Sequence, residues 1–580
     1  MTHLPLSSSV LDEDASLRAS GVPAVFGYVS APGSDAVSVR TVGDVRRVDP
    51  LDRRSGLALF AAPGADVRMV ESPAHQARVY VWGQPSHSSV RRKDVPEWCA
   101  AAVARQQFGL FRDLLGTFVV LVDEPMKGRL TIVTDVLGIR PMFTSAAGAS
   151  FVFGSSVWAL VDAGLITPTV DYDAVSSWVA YGFNCTDGSL FAGVRRVPPG
   201  AALVVEDGRM TTVPYATWTI GARPQSVEQA AEDIHEIVSA DVRTVLREEP
   251  SVVVPLSGGY DSRYLLALCK DLPTRLETVV NVSFSPAEGE VATRVAEALE
   301  VRLETVQVDG SVWDIYDTVH YFTPDGFPIS RFVTFCLAQR SPSIPMMNGF
   351  LGDSLVRGSN DRFDGADEDE CGSDLASVLQ QKHLAISLNL FRPELSARIL
   401  DRARVPMADA VVRGGRQVFG WADLYLRQRH YIACNFLQHL DSAEAVLPFY
   451  SWRLIAYKLA HGREAFSRLT YLRMFERHFP QLAAVPHAAD LPDQRAGVAV
   501  AECAVRWARE LMVPLVKSGW LTVLSTRHCL SLVSLGTSRL PALNEHLAAT
   551  VEDAVFTCRR LYLLEHRLRD AGFAFSWNAL

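Results

Sequence analysis

Val252-Val253-Val254-Pro255-Leu256-Ser257-Gly258-Gly259-Tyr260-Asp261-Ser262 decides how this chain is read. A run of β-formers enters Ser-Gly-Gly and passes straight into a helical pattern. Two glycines let a backbone turn sharply and approach a ligand closely. The following helix offers unpaired N–H groups and the positive end of its dipole. Ser257 and Ser262 add hydroxyl donors, so the pattern is an anion cradle of phosphate size. It is not a Walker A loop, because no Gly-Lys-Ser/Thr follows. An aspartate inside such a cradle would repel phosphate unless a cation sat between them. Asp261 is therefore expected to hold Mg2+ against the phosphates.

Outward from this loop, strands alternate with helices. Ser226 and Gln229 have capping-box spacing, and apolar residues from Val227 to Val245 recur at helical period. Strands are expected at Val252 to Leu256 and Leu276 to Phe284, and helices from Asp261 and near Val291 to Leu299. That alternation predicts an α/β fold with a doubly wound parallel sheet. Residues 20 to 215 read differently. Phe118 to Val122 and Arg129 to Val133 flank a turn-prone Glu124-Pro125-Met126-Lys127-Gly128, which predicts a hairpin. Phe151 to Phe153 and Ala201 to Val205 add strands. Asp361 to Asp374 is acidic and reads as a surface loop. Ala501 to Met512 reads as helix.

Composition sets outer bounds. The chain has 580 residues, 48% hydrophobic and 21% charged, the mix of a chain that buries a core. Its net charge of −9 argues against a general nucleic-acid binder. Met1 to Leu17 has no apolar signal-peptide core, and no apolar run reaches the ~18 residues of a membrane span. Nine scattered cysteines without a CxxC pair suit reduced thiols in a cytoplasmic protein. No membrane or nucleic-acid partner is expected.

The string Leu256 to Ser262 resembles the pyrophosphate loop of the ATP-pyrophosphatase superfamily, and most closely the asparagine synthetase family. The resemblance extends to Asn348-Gly349-Phe350-Leu351-Gly352-Asp353-Ser354, similar to the family's second loop, and to Glu444-Ala445-Val446-Leu447-Pro448-Phe449. It implies ATP and Mg2+ as cofactors. Leu256, Ser257, Gly258, Gly259, Asp261, Ser262, Val282 and Gly349 would bind the nucleotide. Asp261 and Asp353 would be the metal ligands, and Glu444 would position or deprotonate the attacking amine. Glu288 and Glu290 read as a solvated face, and Asp325 as structural or substrate-facing. Leu115 to Phe118, Thr134 to Phe143, Phe153 to Leu160 and Val197 to Gly200 are similar to the family's amino-terminal glutaminase domain, of Ntn type. The expected division is a 1–20 extension, a degenerate glutaminase-like domain at 21–215, a synthetase domain at 226–490 and a helical extension at 491–580.

Three departures refine this expectation. The family's glutaminase nucleophile is a cysteine directly after the initiator Met; here position 2 is Thr2, and no cysteine precedes Cys99. A thiolate is required for that chemistry, so glutamine hydrolysis is not expected. The second loop carries Phe350 where β-lactam synthetases carry a tyrosine. The stretch Phe479 to Asp490 lacks the family's essential lysine, so the stabilising charge must come from elsewhere, with Arg263 the candidate and His487 a weaker one. The departures point to the glutaminase-deficient branch that includes lasso peptide cyclases and β-lactam synthetases. The expected activity is ATP-dependent amide formation through an acyl-adenylate, closing a peptide ring. The expected partners are a precursor peptide or small-molecule carboxylate, with a leader-binding protein and a leader peptidase. Two alternatives stay open: an asparagine synthetase or small-molecule amide or β-lactam synthetase using ammonia or a substrate amine, and a non-catalytic ATP-binding scaffold.

Overall fold

Leu276 and the apolar runs beside it build a parallel sheet whose order reverses next to the glycine loop. A computed structural model describes residues 2–4, most of 24–308 and of 321–358, 391–491 apart from 415–417 and 441, and 558–580 apart from 559. Its strands are β1 (Thr2–Leu4), β2 (Ser251–Leu256), β3 (Arg275–Asn281), β4 (Leu303–Val308), β5 (Met346–Met347) and β6 (Ala445–Val446), in spatial order β1-β4-β3-β2-β5-β6. All five neighbouring pairs run parallel. The chain steps outward from β2 to β3 and β4, then returns to the other side of β2 as β5. That reversal is a topological switch point, where the loops leaving adjacent strand ends diverge and open a crevice.

The helices follow from local signals. In α1 (Val227–Leu246) the Ser226 hydroxyl caps Gln229 N–H at 3.1 Å. Its Ala230, Ile234, Val238, Val242 and Val245 are buried, one stripe at helical spacing. α2 (Tyr260–Cys269) follows the glycine loop without a side-chain cap. α3 (Pro286–Leu299) starts earlier than its apolar period suggests, because Ser285 caps Glu288 N–H and Pro286 takes the first turn. α4 is a single turn (Gly352–Leu355), and α5 (Arg468–His478) packs on α1.

The amino-terminal half is antiparallel. One sheet joins Arg195–Arg196, Phe143–Ala147, Ser150–Gly154, Val25–Val29, Leu57–Ala61 and Arg46–Arg47; another joins Arg209–Pro214, Ala201–Glu206, Arg129–Thr134, Phe118–Glu124, Ala77–Gly83 and Val67–Ser72. The expected hairpin is present, with Val119 opposite Thr134. Both sheets and the parallel sheet feed one continuous apolar cluster.

Two boundary expectations change. Thr2–Leu4, expected in a separate extension, pairs with Val306 to Val308 as an edge of the parallel sheet. The end of the chain packs on the amino-terminal half: Phe575 stacks on Tyr172, Phe573 meets Phe191, and Arg567 bonds Asp162. Asp361 to Asp374 and Ala501 to Met512 lie outside the described residues. Among the described residues no helix is long and apolar enough to cross a membrane.

His235 on α1 and His478 on α5 stack at 3.5 Å, and His478 reaches Glu232 at 3.0 Å. Burial, and then the neighbouring His478, lower the His235 pKa from the ordinary 6.5 to about 4. The unfolded chain takes this proton below about 6.5 and the folded chain only near 4, so stability declines as pH falls through that window. His235→Gln, which keeps a polar group near the Tyr264 hydroxyl, should show a shallower fall of melting temperature between pH 6.5 and 4. Parallel wild-type and variant curves would contradict this.

Candidate functional site

The glycine loop leaves the carboxyl end of β2, and the Asn348–Gly352 turn leaves the end of β5. Val253 and Met346 are register neighbours, so both loops emerge at the same sheet edge, at the switch point. A Cβ added at Gly349 would lie 2.8 Å from Asp261 Cβ, and one at Gly352 would lie 2.6 Å from Asp261 Oδ1. The second loop therefore rests its backbone on the Asp261 side chain, and Asp353 follows directly. Leu351 adopts a left-handed φ of 71°, a conformation that costs an L-residue about 1–2 kcal/mol. Leu351 is buried there.

The two carboxylates interact electrostatically. The Asp261 pKa is raised to about 7, first by burial and further by Asp353, against a hydrogen bond from the Tyr471 hydroxyl and the Arg357 charge. Such a pair is relieved by a cation. Two hard carboxylates fit Mg2+, which takes one or two of them and draws its other oxygens from phosphate and water. Among the described residues no third His, Cys, Asp or Glu completes a protein-only cage.

Around the loop, Ser257 N–H and Ser257 Oγ both meet Ser262 Oγ at 3.0 Å, and Gly259 N–H meets Ser257 Oγ at 3.2 Å. The first turn of α2 has no side-chain cap, so its N–H groups are left to other acceptors. The reason for glycine differs from the sequence expectation. Gly259 has φ −84°, and Gly258 is not left-handed either. A side chain at Gly258 would overlap Ala488 and press on Glu288. Residues 485–490 form a strap over the loop: Ala488 N–H bonds Gly258 O at 3.0 Å.

Arg263 needs a correction. It is buried, and it donates to Gly259 O, Gly258 O, Val485 O and Pro486 O at 2.8 to 3.1 Å. Its guanidinium ties loop to strap and is not free to meet a substrate, so it is a positioning residue rather than the catalytic charge. Glu288 also departs from expectation: it is half-buried against Gly258, and burial raises its pKa. Glu290 is exposed and pairs with Arg294, as a solvated face does. Leu256 is buried at the end of β2. Val282 N–H bonds Val306 O at 3.1 Å, and its side chain packs on Gly289. Asp325 is buried, with its carbonyl accepting from Leu190 N–H, a contact with the amino-terminal half.

Glu444 is not grouped with Asp261 and Asp353. It precedes β6, and both its oxygens accept from Arg140 Nη2, at 2.7 and 2.6 Å. Arg140 belongs to the amino-terminal half and lies over the Trp82 ring. Beside it, Asp135 accepts from Phe118, Ile139 and Arg140 N–H and from the Tyr450 hydroxyl, which in turn accepts from Leu137 N–H. Phe350 stands edge-on to Tyr450. The turn at 135–140 thus locks the two halves together next to the second loop.

Sequence reasoning missed Tyr471, Arg140, the strap and Arg357. Only Arg357 carried a local signal, its i,i+4 spacing from Asp353.

Parts of this chain are similar to known proteins. Residues 98–216 match the glutamine amidotransferase domain family. The chain is 26% identical over 156 residues to asparagine synthetase [glutamine-hydrolyzing] 3 of Bacillus subtilis (strain 168), covering 27% of this chain and 25% of that protein. It is 24% identical over 192 residues to asparagine synthetase [glutamine-hydrolyzing] 1 of the same organism, covering 32% and 30%. The chain thus spans about a quarter to a third of the curated relatives it matches. A solved structure of glutamine phosphoribosylpyrophosphate amidotransferase from B. subtilis, complexed with ADP and GMP, aligns at 12% identity over 60% of this chain and 72% of that one, with a TM-score of 0.21.

Breaking a buried ion pair from one side costs about 3–5 kcal/mol. Arg140→Met should lower unfolding free energy on that scale in urea titrations. The double variant Arg140→Met/Glu444→Leu should recover part of the loss; equal losses in single and double variants would refute the lock. Similarity to asparagine synthetases over about a third of the chain, with an amidotransferase-type domain at 98–216, is what the comparisons establish.

Proposed function

We propose that this chain is an ATP-dependent amide-forming ligase that activates a carboxylate as its adenylate. The carrying observation is the meeting of Asp261 and Asp353 at the switch point, beside a serine- and glycine-built loop that opens an uncapped helix. Mg2+ held by the two carboxylates would neutralise phosphate charge during transfer. The Ser257 and Ser262 hydroxyls and the α2 N–H groups would orient the phosphate chain. Tyr471 would keep Asp261 in place. The similarity to asparagine synthetases supports the ligase class.

We further propose that the amine comes from the substrate, as in closure of a peptide ring. Support lies in the amino-terminal half. Cys99 and Cys185 are buried, and burial pushes both thiols far up, so neither is a ready thiolate. Thr2 belongs to the parallel sheet, not to the antiparallel sheets. The retained role of that half is then structural, through Arg140 and Asp135. An asparagine-forming reaction with free ammonia is the second reading, favoured by the names of the relatives.

With ATP, Mg2+ and a peptide bearing a free amino terminus and an Asp or Glu side chain, pyrophosphate and a product one water lighter are expected. EDTA should abolish the release and added Mg2+ restore it. Asp261→Asn and Asp353→Asn should each slow it by roughly 100-fold, the scale of losing one electrostatic partner of the reacting charge. Unchanged rates would remove the site assignment. Asparagine from aspartate and ammonia would select the second reading.

A further inference from the structure

Positive charge near the loop is mostly committed. Arg263 is spent on four main-chain carbonyls. Arg468 is closed on both oxygens of Asp490 and on the Tyr260 hydroxyl. Arg357 differs. It stands one turn after Asp353 and meets Asp353 Oδ1 at 3.2 Å, with the two side chains 44% and 48% exposed. An exposed pair at this spacing opens easily. The Arg357 main-chain N–H bonds Gly352 O at 3.4 Å, and Gly352 is the residue that rests on Asp261. The guanidinium therefore stands beside the carboxylate pair.

We propose that Arg357 grips the phosphate chain of the nucleotide and the pyrophosphate it releases, exchanging Asp353 for a phosphate oxygen. This rests on the nucleotide reading above. The pair engages only Asp353 Oδ1, which leaves Oδ2 for a metal ion, and an exposed guanidinium fork suits phosphate better than a point charge.

Calorimetric titration of the full chain with Mg2+-pyrophosphate, and separately with AMP, tests the assignment. Arg357→Gln should weaken pyrophosphate binding roughly 10- to 100-fold, the scale of one hydrogen-bonded charge contact, and leave AMP binding unchanged. Arg357→Lys, which keeps charge without the fork, should recover part of the loss. If wild type binds pyrophosphate and Arg357→Gln binds it equally well, the assignment is overturned while the nucleotide reading stands. Equal losses for AMP and pyrophosphate would also overturn it, since the guanidinium would then only shape the loop. If wild type binds neither ligand, both readings fall together.

Discussion

A carboxyl group lies under a glycine-built turn, and the rest of the site depends on that contact. Gly349 and Gly352 let the second loop settle on Asp261; a Cβ at either would come within 2.6 to 2.8 Å of that side chain, closer than van der Waals contact. The contact brings Asp353 to Asp261, raises the Asp261 pKa, and sets the left-handed Leu351 in place. It works because β2 and β5 are adjacent parallel strands whose loops diverge at the switch point.

The second constraint runs between the halves. Asp135 gathers three main-chain N–H groups and the Tyr450 hydroxyl, and Arg140 closes on Glu444. These are buried charges, costly unless satisfied, and here each is paired across the seam. The amino-terminal half thereby holds the loop of the other half in place through its 135–140 turn. The seam also gives Glu444 its partner: both its oxygens are anchored on Arg140.

Much of this was legible locally. The strand-glycine-helix order, the Ser226 cap, the hairpin at 118–134 and the Asp353 loop all depend on neighbours in sequence. The misreadings were tertiary. Arg263 looked available because it follows the phosphate loop, yet its donors go to residues 485 and 486, more than two hundred positions away. Gly258 looked like a turn glycine, yet Ala488 is what excludes a side chain there. Glu288 looked solvated until Gly258 lay against it.

The sequence by itself determined the element types and the two acidic loops, because strand period, capping and turn chemistry act over a few residues. Only the tertiary structure decided which of those residues meet. Strand order and register bring Asp353 to Asp261, Tyr471 to Asp261, Arg140 to Glu444 and Thr2 to Val306. Contacts of that range are set by how whole sheets and helices bury their apolar faces, and no local pattern encodes the partner.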